Sequence, residues 1–254
     1  MQPSVEELQR AWHAVERGDF REPASDRPPD RHDVRWSAPG PTLVVVGSTR
    51  NTGSTTTALA VAEGAEGAVR LVECGPMHSS GLAAATTAEL GVSSAGWRRG
   101  ERGDVRIERT AREVLSPSEV PLPGASDRSV TVIDVGWEAE LLVSSRGWLT
   151  HLSSHRHLLV GRTTGPGLRF LERALDTVSP DHLPWVAAIG LPLKKWPRYL
   201  RLAVGHRLSA VIDERQFITV PEVRALRQHG VGAEPLPPSI TASLQGVCGL
   251  LAVS

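Results

Sequence analysis

Residues 42–63, TLVVVGSTRNTGSTTTALAVAE, contain the pattern that decides the fold. Within them, Leu43 to Val46 form a short apolar and mostly β-branched run, which predicts a fully buried strand of a parallel sheet. Polar residues between Gly47 and Gly53 then form a loop, and the segment from Ser54 predicts a helix whose first turn carries hydroxyl groups. This order of strand, glycine-bearing loop and helix N-terminus is typical of a phosphate-binding loop, where backbone N–H groups and the helix dipole hold an anion.

The loop departs from the strict phosphate-loop pattern GxxxxGK[ST] in two ways. The position after the second glycine, where the pattern needs a lysine to reach the terminal phosphates, is Ser54. The spacing between Gly47 and Gly53 is also one residue longer than in the pattern. The sequence therefore predicts a phosphate-loop architecture from which the main positive charge is missing.

The eight residues TRNTGSTT, 49–56, resemble the deviant Walker A motif KGGxGKTT of the ParA/MinD family. Three positions match that motif: Gly53, Thr55 and Thr56. Both motif lysines and both of its first glycines are replaced, at Thr49, Arg50, Asn51 and Ser54. The resemblance implies the family's fold and a degenerate loop, and it implies a set of nucleotide-binding residues: Gly47, Arg50, Asn51, Thr52, Gly53, Ser54, Thr55 and Thr56.

Two carboxylates stand near the ends of predicted strands. Asp134 follows four alternating apolar residues in 129–137, at the place of a Walker B aspartate, which in a working site orients a Mg²⁺ whose other protein ligand is the hydroxyl here supplied by Thr55. Glu73 ends a predicted strand over 68–74, near the place where the ParA/MinD family has an aspartate that assists at the phosphates and metal. An alternative for Glu73 is a strand-end carboxylate that caps the next turn.

The segment PLKKWPR, 192–198, follows a predicted strand over 185–191. Lys194, Lys195 and Arg198 form a compact cationic cluster without intervening acids, and these lysines are the only ones in the chain. The resemblance implies a basic turn here that touches the adenine of a nucleotide.

Two other patterns each allow a functional alternative. The run 96–120 alternates arginines with acids, which is typical of a solvated face, although Trp97 beside paired arginines would also suit a nucleic-acid contact. His151, His155 and His157 form a cluster that allows a metal hypothesis. No cysteine or carboxylate accompanies them, and a predicted strand over 157–162 explains the local pattern better.

Residues 1–40 differ in composition from residues 41–254, so we expect an N-terminal arm followed by one α/β domain. The segment 5–16 predicts a helix with Val5, Leu8, Trp12 and Val15 on one face, and 18–40 is a Pro- and Arg-rich linker. The arm either drapes over the domain or stays loose, or its amphipathic helix recruits a partner.

Strands and helices alternate along 41–254, which predicts a doubly wound, mostly parallel sheet with helices on both faces, whether or not the family is named. Helices are predicted over the alanine-rich part of 75–91 and over 198–208, 223–230 and 240–253. Strands are predicted over 157–162 and 217–220.

Composition excludes several classes of protein. The 28 basic and 28 acidic residues give zero formal charge, and the two cysteines lack metal or redox spacing, which suits a reducing compartment. Neither a signal peptide nor an apolar run of membrane length is present. We therefore expect a cytoplasmic protein.

Three functions fit these observations. The first is a degenerate ParA/MinD-like protein that does not hydrolyse ATP and acts as a scaffold or adaptor in partitioning, positioning or a transfer system. It would hold ATP or ADP with Mg²⁺, or no nucleotide, and would work with a protein partner or as a homodimer. The alternatives are an active ATP-dependent switch, in which Arg50 or a partner residue replaces the lost lysine, and a DNA-associated accessory protein.

Overall fold

The computed structural model describes residues 35–179 and 182–252. The predicted helix over 5–16 and most of the predicted arm lie outside these residues. No helix within the described ranges has both the length and the apolar character that a membrane crossing requires.

A nine-stranded sheet forms the centre of the fold, in the order β3-β4-β5-β2-β6-β1-β7-β8-β9. Its strands are β1 Thr42–Gly47, β2 Val69–Glu73, β3 Ala88–Val92, β4 Trp97–Arg102, β5 Val105–Thr110, β6 Val130–Glu138, β7 Arg156–Arg162, β8 Trp185–Ile189 and β9 Phe217–Val220. Every pairing from β5 to β9 along this order is parallel. At the other edge, β4 pairs antiparallel with both β3 and β5. The predicted mostly parallel sheet is confirmed.

Helices cover both faces of this sheet. They are α1 Ser54–Gly64, α2 Leu82–Ala85, α3 Ala139–Ser144, α4 Gly165–Val178, α5 Arg198–Arg201, α6 His206–Asp213, α7 Arg224–His229, α8 Pro238–Ser243 and α9 Gln245–Cys248. One apolar cluster joins the sheet to α3, α4 and α6, and the other joins it to α1, α8 and α9. The doubly wound arrangement is therefore confirmed as well.

Strand β1 lies between β6 and β7 and belongs to both cores. Val44 and Val46 face one cluster, Leu43 and Val45 face the other, and all four side chains are 0% exposed. Burying such a side chain contributes roughly 1.5–3 kcal/mol, so the apolar run that begins the quoted stretch stabilises both layers. It also fixes the point at which the following loop leaves the sheet.

The sequence interpretation was wrong over 96–120. This run forms the hairpin of β4 and β5, joined at Gly103, whose φ of 55° suits the tight turn. Trp97 is fully buried and donates its Nε1–H to the Leu122 carbonyl at 3.2 Å, so it cannot stack on a base. Glu108 is also buried, because it pairs with Arg70 of β2 and with Arg99 of β4. The prediction of a solvated face therefore fails for the buried members of the run, whereas Arg98, Asp104 and Arg112 do remain exposed.

Three helix predictions also need correction in their bounds. The alanine-rich segment 75–91 contains a 3₁₀ turn at Met77–Ser79 and the short α2, and its end pairs with β4 as strand β3, because the hairpin offers an open edge. The segment 198–208 is divided between α5 and the start of α6. The segment 240–253 contains most of α8, the whole of α9 and a 3₁₀ turn at Gly249–Leu251. Residues 202–205, which end in Gly205, separate α5 from α6, and Leu244 separates α8 from α9.

Arg102 joins three distant segments on one side of the sheet. Its guanidinium pairs with Glu63 at the end of α1 and donates to the Ala85 carbonyl at 2.9 Å. It also donates to the Gly232 carbonyl at 2.6 Å and to the Glu234 carbonyl. Because the side chain is only 5% exposed, these partners replace the water that it loses on folding.

The buried Arg70–Glu108 pair provides a test of the β4–β5 hairpin. Glu108→Gln leaves the Arg70 guanidinium buried without its charge partner, so we expect the free energy of unfolding to fall by about 3–5 kcal/mol. Urea unfolding followed by circular dichroism measures this loss. The control is Glu113→Gln in the same run, at a half-exposed carboxylate that pairs with His78. Equal stabilities of the two variants would contradict the hairpin.

Candidate functional site

The loop between β1 and α1 is closed by its own backbone and side chains. Thr52 donates its hydroxyl to the Thr49 carbonyl at 3.1 Å, and Asn51 has a φ of 57°. Gly53 has a φ of 90°, and a Cβ at this position would lie 2.5 Å from Ile189 Cδ1. The positive φ therefore favours glycine at the entrance to the helix, and a Cβ there would also displace the end of the Ile189 side chain.

Helix α1 begins at Ser54, directly after this glycine. The N–H group of Thr57 bonds the Gly53 carbonyl at 2.9 Å, and its hydroxyl donates to the same oxygen. The three preceding N–H groups, of Ser54, Thr55 and Thr56, have no acceptor within the helix. They form a row of donors at the positive end of the helix dipole, as a phosphate-binding loop needs.

A carboxylate faces the first turn of α1 from the sheet. Asp134 lies in β6 and accepts a hydrogen bond from the Thr55 hydroxyl at 2.6 Å. Its Oδ2 is thereby satisfied, whereas its buried Oδ1 has no hydrogen-bond partner among the described residues. Glu73, the last residue of β2, is the direct neighbour of Asp134 across the parallel pairing and accepts the Ser80 hydroxyl at 2.5 Å.

Both carboxylates are harder to ionise than usual. Burial, together with the nearby Asp134 charge, raises the pKa of Glu73 to about 7, although the Ser80 hydroxyl acts in the opposite direction. Burial likewise raises the pKa of Asp134 to about 6, and the Thr55 hydroxyl opposes that shift. Both raised pKa values reflect buried carboxyl groups that no ammonium group in the loop stabilises in the ionised form.

A cavity of about 380 Å³ opens between the loop and these carboxylates. It brings together most of the residues that the sequence singles out: Gly47, Arg50, Asn51, Gly53, Ser54, Thr55, Thr56, Glu73 and Asp134. Thr52 is buried beneath the loop. Lys194, Lys195 and Arg198 do not line this cavity; they lie on the exposed surface beyond β8.

Arg50 stands at the mouth of the cavity. Its Nε lies 3.5 Å from the Glu138 Oε1, and its side chain is 73% exposed. Within the part of the chain that the structure describes, it is the only lysine or arginine in the lining of the cavity. The one available cation is therefore directed toward a surface carboxylate.

Sequence reasoning missed a pair of glycines on the cavity wall. Gly136 has a φ of 68°, and a Cβ there would collide with Gly75 Cα, because the backbone of β6 touches the chain just after the end of β2. Trp137 then donates its Nε1–H to the Cys74 carbonyl at 2.9 Å and closes the wall from behind. The sequence does contain a signal for this wall, because a glycine stands two positions after each of Glu73 and Asp134.

The far wall includes Gly230 and Val231, which belong to the segment after α7. Val231 lies close to Gly81, whose added Cβ would be 3.3 Å from Val231 Cγ2 and 3.9 Å from Thr55 Cγ2. No local motif marks these residues, because their place depends on the path of the chain after the last strand.

No family model and no curated protein matches this sequence. Solved structures do match the fold. Apo McdA from Cyanothece superposes with a TM-score of 0.54 at 14% identity, over 84% of this chain and 99% of that one. A ParA family ATPase from Chlorobium tepidum gives a TM-score of 0.53 at 10% identity, over 82% of this chain and 98% of that one.

The ATP complex of the Cyanothece McdA variant D38A gives a TM-score of 0.51 at 11% identity, over 86% of this chain and 98% of that one. These matches extend over nearly the whole length of each neighbour. The chain has the fold of the ParA/MinD-type P-loop ATPases.

Proposed function

We propose that this chain is a ParA/MinD-type protein that does not hydrolyse ATP and acts as a scaffold or adaptor with a protein partner or a second copy of itself. The observation that carries the proposal is the chemistry at the start of α1. Ser54 occupies the first helical position, where phosphate loops have lysine, and Arg50 faces Glu138 instead.

Hydrolysis needs positive charge where negative charge develops on the transferred phosphoryl group. Preorganised groups of this kind contribute several kcal/mol to transition-state stabilisation, and removal of a single donor costs about 3–4 kcal/mol. A serine hydroxyl supplies a dipole without net charge. The exposed guanidinium of Arg50 is a poor replacement, because it is not held beneath the phosphates.

The residues present still fit a magnesium nucleotide. The cavity of about 380 Å³ lies in the size range of ligand sites, and the first-turn N–H groups of α1 offer phosphate contacts. The unpartnered Oδ1 of Asp134 and the hydroxyl of Thr55 are oxygen ligands of the kind that Mg²⁺ prefers. Bound Mg²⁺ would neutralise charge between the carboxylates and the phosphates. The ATP complex of the McdA variant, which shares this fold, supports such a site.

The acidic character of the cavity limits this binding. Glu73 and Asp134 both face it, and no lysine of the chain lies nearby to counter the phosphates. A nucleotide without its metal would therefore meet net repulsion. We infer that the protein works in the cytoplasm with little or no bound nucleotide. Its proposed role is to present the surface of this fold to a partner.

Thermal unfolding with nucleotides tests the proposal. For the natural chain, we expect ATP with Mg²⁺ to raise the Tm by little or nothing, since the loop lacks its cation. Ser54→Lys with Arg50→Gly restores the charge and the space, and we expect ATP with Mg²⁺ to raise the Tm of this variant by several degrees. This corresponds to a stabilisation of about 2–3 kcal/mol at ligand concentrations roughly 100-fold above Kd.

Ser153→Lys is the matched control, because it adds the same charge at an exposed position outside the cavity. It should leave the nucleotide response unchanged. A brisk, metal-dependent release of phosphate by the natural chain would overturn the proposal. Absence of any gain in the double variant would show that the loop does not hold phosphate in this register.

The carboxylate pair predicts how stability depends on pH. The folded state holds protons on Glu73 and Asp134 that the unfolded chain has released, because folding raises the Glu73 pKa from 4.5 to about 7 and the Asp134 pKa from 3.8 to about 6. The free energy of unfolding should therefore fall as pH rises from about 4 to 7, by roughly 4–6 kcal/mol for the two groups together, since one pKa unit corresponds to about 1.4 kcal/mol.

Glu73→Gln should flatten this pH dependence and stabilise the protein near pH 7, since the amide is never ionised. Glu214→Gln is the control, at an exposed position directly after α6. It should leave the dependence of the unfolding free energy on pH unchanged. Urea titrations across the pH range measure both. A slope that is the same in the Glu73 variant and the natural chain would exclude this carboxylate as its source.

A further inference from the structure

A short segment after β8 holds a set of exposed side chains in a fixed arrangement. Trp196 is buried, donates its Nε1–H to the Leu191 carbonyl at 2.8 Å and meets the Phe217 ring edge-on at a centroid distance of 5.5 Å. Leu200 of α5 is also fully buried. These two anchors fasten residues 191–202 to the core, so their neighbours in the sequence must point outward.

The outward side chains are of only two kinds, large apolar groups and cations. We call them the 191–202 patch: Leu191, Leu193, Lys194, Lys195, Arg198, Tyr199, Arg201 and Leu202. Tyr199 is 63% exposed and Leu202 74% exposed. A cluster of large apolar side chains at such exposure is typical of an interaction surface.

The charge of the patch has one sign. No aspartate or glutamate occurs between His182 and Ile212 in the sequence. Within the described ranges, no ion pair joins the four cations of the patch to a carboxylate. Four arginines of β4 and β5 are different, because each pairs with an acid: Arg99 with Glu108, Arg102 with Glu63, Arg106 with Asp127 and Arg109 with Glu89. The chain as a whole is neutral, so this concentration of charge is local.

We propose that the 191–202 patch docks on a membrane surface rich in anionic phospholipids. The cations attract anionic head groups, and the leucines enter the boundary between head groups and acyl chains. Tyr199 suits the same depth, because its ring is apolar and its hydroxyl is polar. Lysine and arginine stems cover apolar surface while their charged ends stay among the head groups.

The apolar members of the patch favour lipid over nucleic acid. A duplex would satisfy the cations through its phosphates, but Leu193 and Leu202 would find no apolar partner along a polar backbone. A lipid surface gains from both kinds of side chain at once. The proposal is independent of the phosphate loop, since none of the patch residues lines that cavity.

Flotation with vesicles tests the proposal on the full chain. We expect the protein to float with equimolar phosphatidylglycerol and phosphatidylcholine and to stay behind with phosphatidylcholine alone. Each cation near an anionic leaflet strengthens binding about fivefold, so Lys194→Glu with Lys195→Glu should weaken it at least about twentyfold. Leu193→Ser with Leu202→Ser should also weaken it, and should abolish the part that survives high salt.

Matched controls are available at exposed positions outside the patch. Arg112→Glu reverses one charge in the loop after β5, and Leu115→Ser removes an apolar side chain that is 77% exposed. Both controls should float like the natural chain. The patch variants alter exposed side chains only, and an unchanged Tm would show that their folds are intact.

The two lysines give a second measurement, because they are the only ones in the chain. Anionic vesicles should protect the peptide that contains Lys194 and Lys195 from acetylation, as read by mass spectrometry. Flotation of the patch variants equal to that of the natural chain would overturn the proposal. Failure of the natural chain to float with anionic vesicles would also overturn the proposal. If that chain instead retards a DNA duplex in a low-salt gel, the patch binds nucleic acid.

Discussion

The hydrogen bond from Thr55 to Asp134 ties the start of α1 to the centre of the sheet. One partner belongs to the first turn of the helix, and the other to the strand beside β1. With Gly53 held against Ile189, this bond leaves the loop little freedom to move away from the cavity. The phosphate-loop shape is thus maintained by glycine geometry and by a hydroxyl–carboxylate contact. Neither contribution depends on a lysine.

The shape of the loop and the charge within it are therefore separate features of this structure. In a working phosphate loop, the ammonium group and the metal balance the phosphates and the carboxylates together. Here Glu73 and Asp134 face the cavity without that ammonium, and burial raises the pKa of both. The site is therefore built for a cation at least as much as for a phosphate. This balance of charge is the physical basis of the proposed weak binding of a magnesium nucleotide.

The sequence predicts the central layers well, because they depend on local signals. The apolar run of β1, the loop glycines and the hydroxyl-rich start of α1 all lie within the quoted stretch, and the strand end at Glu73 follows from periodicity. The predicted strand end at Asp134 was wrong, because β6 continues to Glu138. The hairpin of β4 and β5 was missed, since its charged residues resemble a solvated surface until Arg70 is placed beside Glu108. That pairing links residues far apart in the chain. The wall at Gly230 and Val231 was missed for the same reason.

The contacts of Arg102 have a consequence for the order in which the domain is completed during translation. Its guanidinium lies at the end of β4, yet two of its acceptors are the carbonyls of Gly232 and Glu234, the first of them 130 residues further along the chain. When the β4–β5 hairpin has left the ribosome but Gly232 and Glu234 have not, the Arg102 guanidinium lacks two of its hydrogen-bond acceptors. Burial of this guanidinium at that stage is costly. Closure of this side of the domain therefore waits until Gly232 and Glu234 have emerged.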